Sequence, residues 1–351
     1  MKSTTNQRPV AIWLFVCCVA IFAMVILGGV TRLTGSGLSM VKWEPITGVF
    51  PPMNQAEWNA VFELYQHSPQ YKKVNSHFNL EEFKSIFWFE YLHRILGRLI
   101  GILFLLPMLF FIATRQVSRK LSPKLVAMFV LGGLQGLLGW YMVKSGLVDN
   151  PQVSQYRLAA HFGLAVVVYG YIFWVALGLF FQREPGRDSG GARQILGFSR
   201  VVTGLIFITL LSGAFVAGLR AGFAYNTFPL MNGQLIPDGI FRLVPLWTNF
   251  FENIATVQFD HRVLATLLFF LIPIFWWRSR KFELSSRVRV GIYLLLGALL
   301  LQVTLGISTL LLHVPISLAS AHQGGGLLLF TAALFVLHQL TMASKPQVSG
   351  E

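Results

Sequence analysis

The stretch FEYLHRILGRLIGILFLLPMLFF (residues 89–111) decides the fold of this chain. It places an acid, a histidine and two arginines at the start of an apolar run that is long enough to cross a bilayer, which takes about 20 residues. A second stretch, VQFDHRVLATLLFFLIPIFWW (residues 257–277), repeats much of this pattern. Ionisable groups in membrane helices are costly and usually functional. The repetition therefore indicates a membrane protein with two related sites.

The composition agrees with a membrane protein. The chain has 351 residues, of which 54% are hydrophobic and 12% charged, whereas about 25% of the residues in soluble domains are charged. Apolar runs of spanning length recur along the chain at 11–30, 92–113, 125–143, 158–181, 199–219, 261–277, 288–311 and 317–340. The predicted fold class is therefore an all-α polytopic membrane protein with eight transmembrane helices.

The net charge of +14 is explained by membrane topology and gives no reason to expect a nucleic-acid partner. Basic residues cluster in the short connections 115–124, 183–200 and 278–289, whereas the alternate connections 144–157 and 312–316 hold two and none. Basic residues concentrate in cytoplasmic loops. This distribution predicts that both termini are cytoplasmic.

The chain also repeats itself in the later spans. YRLAAHFGLAVVVYGYIF (residues 156–173) is matched by SLASAHQGGGLLLFTAAL (residues 317–334). Each half then holds four spans, which predicts two tandem four-helix bundles related by a pseudo-two-fold axis along the membrane normal. The predicted division is an N-terminal half at 1–182, a cytoplasmic linker at 183–198 and a C-terminal half at 199–351.

Two long loops are predicted on the outer face, at about 31–90 and 220–260. In the first, AEWNAVFELYQ and LEEFKSIFWFEYLH are rich in aromatic residues and are predicted to be two short interfacial helices. Both loops are expected to cover the outer ends of the spans.

Four histidines occupy matched positions in the second and fourth spans of each half, near the predicted outer face: His93, His161, His261 and His322. The residue four positions later is small in every case: Gly97, Ala165, Ala265 and Gly326. Because residues i and i+4 share a helix face, a flat macrocycle can lie against the small residue while the histidine reaches its centre. Close helix packing, which also favours Gly and Ala, is the alternative explanation.

The set of candidate ligands favours heme iron. No cysteine or carboxylate cluster accompanies the histidines, which argues against a structural zinc site, and two imidazoles can occupy both axial positions of a heme. Arg94, Arg98 and Arg262 lie beside these histidines and can pair with heme propionates. The alternative for the arginines is that they extend to the lipid headgroups.

The two halves differ at the position three residues before the second-span histidine. The first half has Glu90, and the second has Gln258. A carboxylate on the same face as a heme ligand can accept protons at the heme edge, whereas a glutamine cannot. The alternative for Glu90 is an acid favoured by the positive end of the helix dipole. We expect Glu90 to be catalytic.

These motifs carry a family resemblance over nearly the whole chain. ExxHRxxG (Glu90 to Gly97), GGVTRLTGSGLSMVKWEPITGVFPP (Gly28 to Pro52), the four histidines and the repeat closely resemble heme A synthase. The resemblance implies oxidation of the C8 methyl of heme O to a formyl, through two successive hydroxylations and loss of water, to give heme A for terminal oxidases.

The resemblance also implies roles for the histidines. By position, His93 and His161 match the pair that holds the substrate heme O. His261 and His322 match the pair that holds a permanent heme b. Glu90 matches the acidic residue near the reacting group.

The partners implied by the resemblance are heme O synthase, terminal oxidase assembly factors, an unidentified electron-transfer partner and the lipid bilayer. The sequence leaves the oligomeric state open, a homo-oligomer included. It has no outer-loop cysteine pair, since Cys17 and Cys18 lie in the first span, so it resembles the cysteine-free class. The short amino terminus favours a bacterial inner membrane, with the heme sites near the periplasmic face.

Two other functions fit parts of the pattern. A two-heme b-type electron carrier needs the same histidine pairs, but the difference between Glu90 and Gln258 counts against it. A repeat-built transporter without heme is also compatible with the spans, although transporter sites usually lie at the membrane midplane.

Overall fold

The computed structural model describes residues 7–42, 48–147, 151–181 and 189–344, and these ranges contain helices but no β-strand. In chain order the helices are α1 (Arg8–Leu33), α2 (Gln55–Gln66), α3 (Pro69–Lys73), α4 (Leu80–Ala113), α5 (Ser122–Gly146), α6 (Gln155–Phe180), α7 (Ser189–Gly218), α8 (Asn249–Glu252), α9 (Ile254–Ser279), α10 (Ser286–Leu311) and α11 (Ile316–Ala343). Within the described ranges, eight of them are long and apolar enough to cross a membrane. This confirms the predicted fold class; the tandem symmetry of the bundles stays a prediction.

Helix α4 begins well before the apolar run that predicted it. The Asn79 side chain accepts a hydrogen bond from the Glu82 N–H (3.0 Å), and the Glu82 carboxylate accepts one from the Asn79 N–H (2.8 Å). This reciprocal capping starts a helix, and neither proline nor glycine interrupts the chain before the membrane span. The prediction that LEEFKSIFWFEYLH forms a separate short helix was therefore wrong, since it is the first part of α4. The other predicted short helix, AEWNAVFELYQ, is α2.

The early turns of α4 pack against α2 through buried aromatic side chains. Trp58 and Phe87 have ring centroids 4.9 Å apart, as have Tyr65 and Phe83. Large aromatic side chains bury much apolar surface, so this cluster gives the outer segment a hydrophobic core of its own. This packing holds the turns of α4 that precede His93 against α2.

The chain forms two compact units. The N-terminal unit is Val19–Val168, and the C-terminal unit comprises the described residues of Met1–Cys18 and Tyr169–Glu351. In the C-terminal unit, α7, α9, α10 and α11 pack as a closed ring, because α7 contacts α9 and α11, and α10 contacts the same two helices. The predicted division into halves at 1–182 and 199–351 stays a prediction.

The predicted linker falls partly outside the described residues, which omit 183–188. Residues 189–198 form the beginning of α7. The helix thus extends before its apolar run, because charged residues at the end of a span can remain helical outside the hydrocarbon region.

Candidate functional site

In the C-terminal unit, the imidazoles of His261 on α9 and His322 on α11 lie close to each other. Their ring centroids are 6.4 Å apart and their planes are nearly perpendicular, at 88°. Bonds from metal to imidazole nitrogen are about 2.0 Å long and the ring centre lies about 1.1 Å beyond the nitrogen, so two imidazoles on opposite sides of one metal have centroids about 6.2 Å apart. The 6.4 Å separation is therefore close to that of two imidazoles that would bind one metal from opposite sides.

Each of these rings lies on a glycine of the preceding spanning helix. A Cβ atom placed at Gly213 of α7 would be 3.2 Å from Cε1 of His261, and one at Gly306 of α10 would be 2.8 Å from Cε1 of His322. Any side chain at Gly306 would displace the ring. The glycines allow the helices to approach closely enough to hold the imidazoles in place.

The N-terminal unit contains the same arrangement around the other two histidines. A Cβ at Gly28 of α1 would lie 2.9 Å from Cε1 of His93, and one at Gly139 of α5 would lie 3.0 Å from Cε1 of His161. His93 and His161 both lie in the compact unit Val19–Val168. The structure thus brings together both histidine pairs that the sequence predicted.

The four glycines were missed at the sequence level, although the repeat contained a signal for two of them. LQGLLG (residues 134–139) and LQVTLG (residues 301–306) share a pattern that ends at Gly139 and Gly306. The small residue four positions after each histidine was expected instead to make room for a macrocycle. Gly326, one of these, packs against Leu210, whose Cδ2 would be 2.8 Å from a Cβ at Gly326. At Gly326 the structure therefore favours close helix packing.

Polar side chains contact two of the rings. Ser212 Oγ is 2.8 Å from Nδ1 of His261. The side-chain amide of Gln135 donates to the backbone carbonyl of His161 (3.0 Å) and its nitrogen lies 3.2 Å from Nδ1 of the same residue. A hydrogen bond that the second ring nitrogen donates to an oxygen, as Nδ1 of His261 can to Ser212, orients a histidine that binds a metal.

Glu90 is buried in the N-terminal unit, with 3% of its surface exposed. Oε2 accepts hydrogen bonds from Ser39 Oγ and from the Met40 N–H, both at 2.8 Å. Oε1 forms an ion pair with Arg94 at 2.5 Å. The carboxylate therefore connects α4 to the loop after α1, on the helix that also carries His93.

Arg94 and Arg262 make equivalent contacts with the outer loops. Arg94 donates to the carbonyls of Met40 (2.9 Å) and Lys42 (3.1 Å). Arg262 donates to the carbonyls of Tyr225 and Thr227, both at 2.9 Å. Each guanidinium thus binds two carbonyls that are two residues apart, immediately beside a histidine that the sequence predicted to be a ligand. We call these contacts the loop clasps.

Glu90 and Gln258, which lie three residues before His93 and His261, also contact the outer loops. Gln258 donates to the Tyr225 carbonyl at 3.2 Å, whereas Glu90 accepts from the Met40 N–H. Arg98 lies one turn after Arg94 and is partly buried. No contact in the described structure tests its predicted pairing with a heme propionate.

The fold and the site define a polytopic α-helical membrane protein with two histidine pairs, one of which has the spacing of axial heme ligands. The sequence profile of the COX15-CtaA family, described as cytochrome oxidase assembly protein, matches residues 11–334, and the chain belongs to this family. It is 58% identical to heme A synthase of Nitrosospira multiformis over 95% of this chain and 94% of that protein. It is 46% identical to heme A synthase COX15 of Arabidopsis thaliana, over 98% of this chain and 78% of the relative. It is 44% identical to the human protein of the same name, over 98% of this chain and 86% of the relative.

Proposed function

We propose that this protein is a membrane oxidoreductase that converts heme O to heme A by oxidising the C8 methyl group to a formyl. Family membership over nearly the whole chain and the name of its relatives, heme A synthase, support the reaction. The observation that carries the proposal at the level of the site is the 6.4 Å separation of His261 and His322, which suits bis-imidazole binding of a heme.

The proposal assigns different hemes to the two histidine pairs. His261 and His322 hold a permanent heme b as cofactor, and His93 and His161 hold heme O as substrate. When bound, heme b supplies one-electron transfer. The glycine contacts at all four rings support the assignment of the four histidines as ligands, because the packing of the helices alone holds each ring in place.

Glu90 is the proposed catalytic residue. It lies three residues before His93 and therefore on the same face of α4. Oxidation of the methyl group passes electrons to the electron-transfer partner and releases protons, and a carboxylate in a water-poor site can accept one proton at Oε1 or Oε2. The ion pair with Arg94 and the hydrogen bonds from Ser39 and Met40 hold the carboxylate in position.

The arginines have two proposed roles. Arg98 pairs with a propionate of the substrate heme, since the bonds of Arg94 described above go largely to Glu90 and the loop. Arg94 and Arg262 keep the outer loops in place over the ligand helices and add positive charge near the propionates.

We place the protein in a bacterial inner membrane with both termini in the cytoplasm and the hemes near the periplasmic face. The distribution of basic residues supports this orientation. The proposed partners are heme O synthase, which would supply the substrate, terminal oxidase assembly factors, which would receive the product, and an electron-transfer protein.

Histidine substitutions test the assignment. We expect His261→Ala or His322→Ala to remove heme b and its Soret absorbance, and His93→Ala or His161→Ala mainly to reduce bound heme O or its conversion. Hemes extracted from each purified variant are identified by mass spectrometry. Loss of heme b from the His93 variant alone, with heme O conversion intact, would reverse the assignment.

A further inference from the structure

The first spanning helix of each repeat contacts the second-span histidine through a glycine, and these contacts define which residues correspond. Gly28 lies against Cε1 of His93, and Gly213 lies against Cε1 of His261. If Gly28 and Gly213 occupy the same position in the two repeats, the residues immediately before them correspond as well. Leu27 of α1 therefore corresponds to Ser212 of α7.

Ser212 makes two hydrogen bonds that determine which nitrogen of His261 carries a proton. Its hydroxyl donates to the Thr209 carbonyl at 2.8 Å, and its oxygen lies 2.8 Å from Nδ1 of His261. Because the hydroxyl hydrogen is used on the carbonyl, Oγ accepts the Nδ1–H bond. Nε2 then keeps its lone pair, which is the form of imidazole that binds a metal.

His93 lacks this interaction. Leu27 has no polar side-chain atom, and in the part of the chain that the structure describes, the buried Nδ1 of His93 has no hydrogen-bond partner. The ring is located by Gly28, but among the described residues no hydrogen bond to Nδ1 sets its tautomer.

The fourth-span histidines do not differ in this way, because neither has a hydrogen-bond acceptor at Nδ1 within the described residues. Gln135 presents its amide nitrogen, which is a donor, 3.2 Å from Nδ1 of His161, and the buried Nδ1 of His322 has no hydrogen-bond partner. Gln135 and Gln302 occupy matched positions one turn before Gly139 and Gly306. The Gln135 amide contacts His161, and Gln302 Oε1 lies directly against Gly325, in the turn after His322. A glutamine thus lies beside the helical turn of His161, and another beside the turn that follows His322. The difference between the pairs lies at Leu27 and Ser212.

We infer that Ser212 is a positioning residue that makes the C-terminal histidine pair the tighter heme site, and that Leu27 leaves the N-terminal pair weaker and exchangeable. A hydrogen bond accepted from Nδ1–H raises the basicity of a histidine ligand and fixes its orientation. A permanent cofactor needs such a ligand, whereas a substrate that is released after the reaction does not. The inference rests on the proposed function, which places the resident heme at His261 and the substrate at His93.

The first test uses Ser212→Ala in a His93→Ala, His161→Ala background, where the C-terminal pair is the heme site that remains. Heme transfer from the purified protein to apomyoglobin should become about 10–100-fold faster, as is typical when such a partner is lost. The midpoint potential should rise, since a less basic ligand stabilises ferric heme less. Ser199→Ala, at another buried serine of α7, is the matched control and should change neither quantity. Ser212→Thr keeps the hydroxyl and should restore both.

The second test adds the missing group to the other site. Leu27→Ser, in a His261→Ala, His322→Ala background, should slow heme transfer from the N-terminal pair, because a serine there can donate to the Met24 carbonyl as Ser212 does to Thr209. Unchanged transfer from this variant would contradict the role given to Leu27.

The outcomes separate the inference from the proposed function. If His261→Ala removes the heme but Ser212→Ala leaves transfer rate and potential at the values of the background protein, the inference about Ser212 is wrong and the assignment of the hemes stands. If His261→Ala retains heme b in full, the assignment itself is wrong.

Discussion

Gly306 lies directly against the imidazole of His322, and a Cβ atom at this glycine would be only 2.8 Å from Cε1 of the ring. Similar contacts join Gly213 to His261, Gly28 to His93 and Gly139 to His161. A glycine on a neighbouring helix therefore accompanies every proposed ligand. Ligand geometry in this protein depends on helix packing as much as on the histidines themselves.

We predict that Gly306→Ala displaces His322 and weakens heme binding in the C-terminal unit. The added methyl group would overlap the ring, and the protein interior has little free space to absorb it. The measurement is the ratio of Soret absorbance to protein in purified samples. Gly297→Ala, on the same helix, is the matched control, because a Cβ there meets no atom within 4 Å. Equal heme content in the two variants would show that the contact at Gly306 does not position the ligand.

A second prediction concerns Glu90. Glu90→Gln keeps the shape of the side chain but cannot accept a proton, and general acid–base groups contribute about 10²–10⁴-fold to rate. Conversion of heme O to heme A should fall sharply at equal heme loading, with accumulation of the alcohol intermediate. The measurement is the ratio of heme A and hydroxylated heme to heme O.

Glu81→Gln is the control for this experiment, since it makes the same chemical change at an acid near the start of α4 whose side chain is 79% exposed. If Glu90→Gln gives the same product ratio as Glu81→Gln, Glu90 only connects α4 to the loop at Ser39 and Met40.

A third prediction separates Arg94 from Arg98. Arg94→Gln should loosen the loop that contains Met40 and Lys42, because an amide cannot replace a guanidinium that binds two carbonyls and a carboxylate. Limited proteolysis should then cleave this loop faster. Arg98→Gln should reduce retention of heme O and leave the cleavage rate unchanged. Faster cleavage in both variants, or in neither, would refute the separate roles.

The fourth prediction concerns membrane orientation. Reporter fusions after Arg119 and Arg280 should report a cytoplasmic location, and fusions after Leu147 and Pro237 an outer one. A cytoplasmic signal from the Leu147 fusion would overturn both the topology and the position of the hemes near the periplasmic face.

The number and order of the spans could be predicted from the sequence because long apolar runs leave few alternatives in a membrane protein. The start of α4 could not be predicted in this way, because the apolar run marks only the part of the helix that lies in lipid. The capping interaction of Asn79 with Glu82 begins the helix about three and a half turns before His93. The pattern Asn-x-x-Glu at 79–82 was a usable signal for this start.

The histidines could be identified from the repeat, but their surroundings could not. The loop clasps join Arg94 to Met40 and Arg262 to Tyr225, which are far apart in the sequence. Such contacts depend on how a loop folds back over a helix, and hydropathy carries no information about that. Likewise, the match of Leu27 with Ser212 becomes visible only when Gly28 and Gly213 are seen against their histidines.

The most direct test of the proposed reaction is the identity of the hemes in the unmodified protein. The protein is purified from cells that supply heme O, and its hemes are extracted and identified by mass spectrometry. The account predicts heme b together with heme O and its oxidised products, including heme A. Heme b alone would contradict it and would indicate a two-heme electron carrier, and a protein without any heme would contradict the assignment of all four histidines.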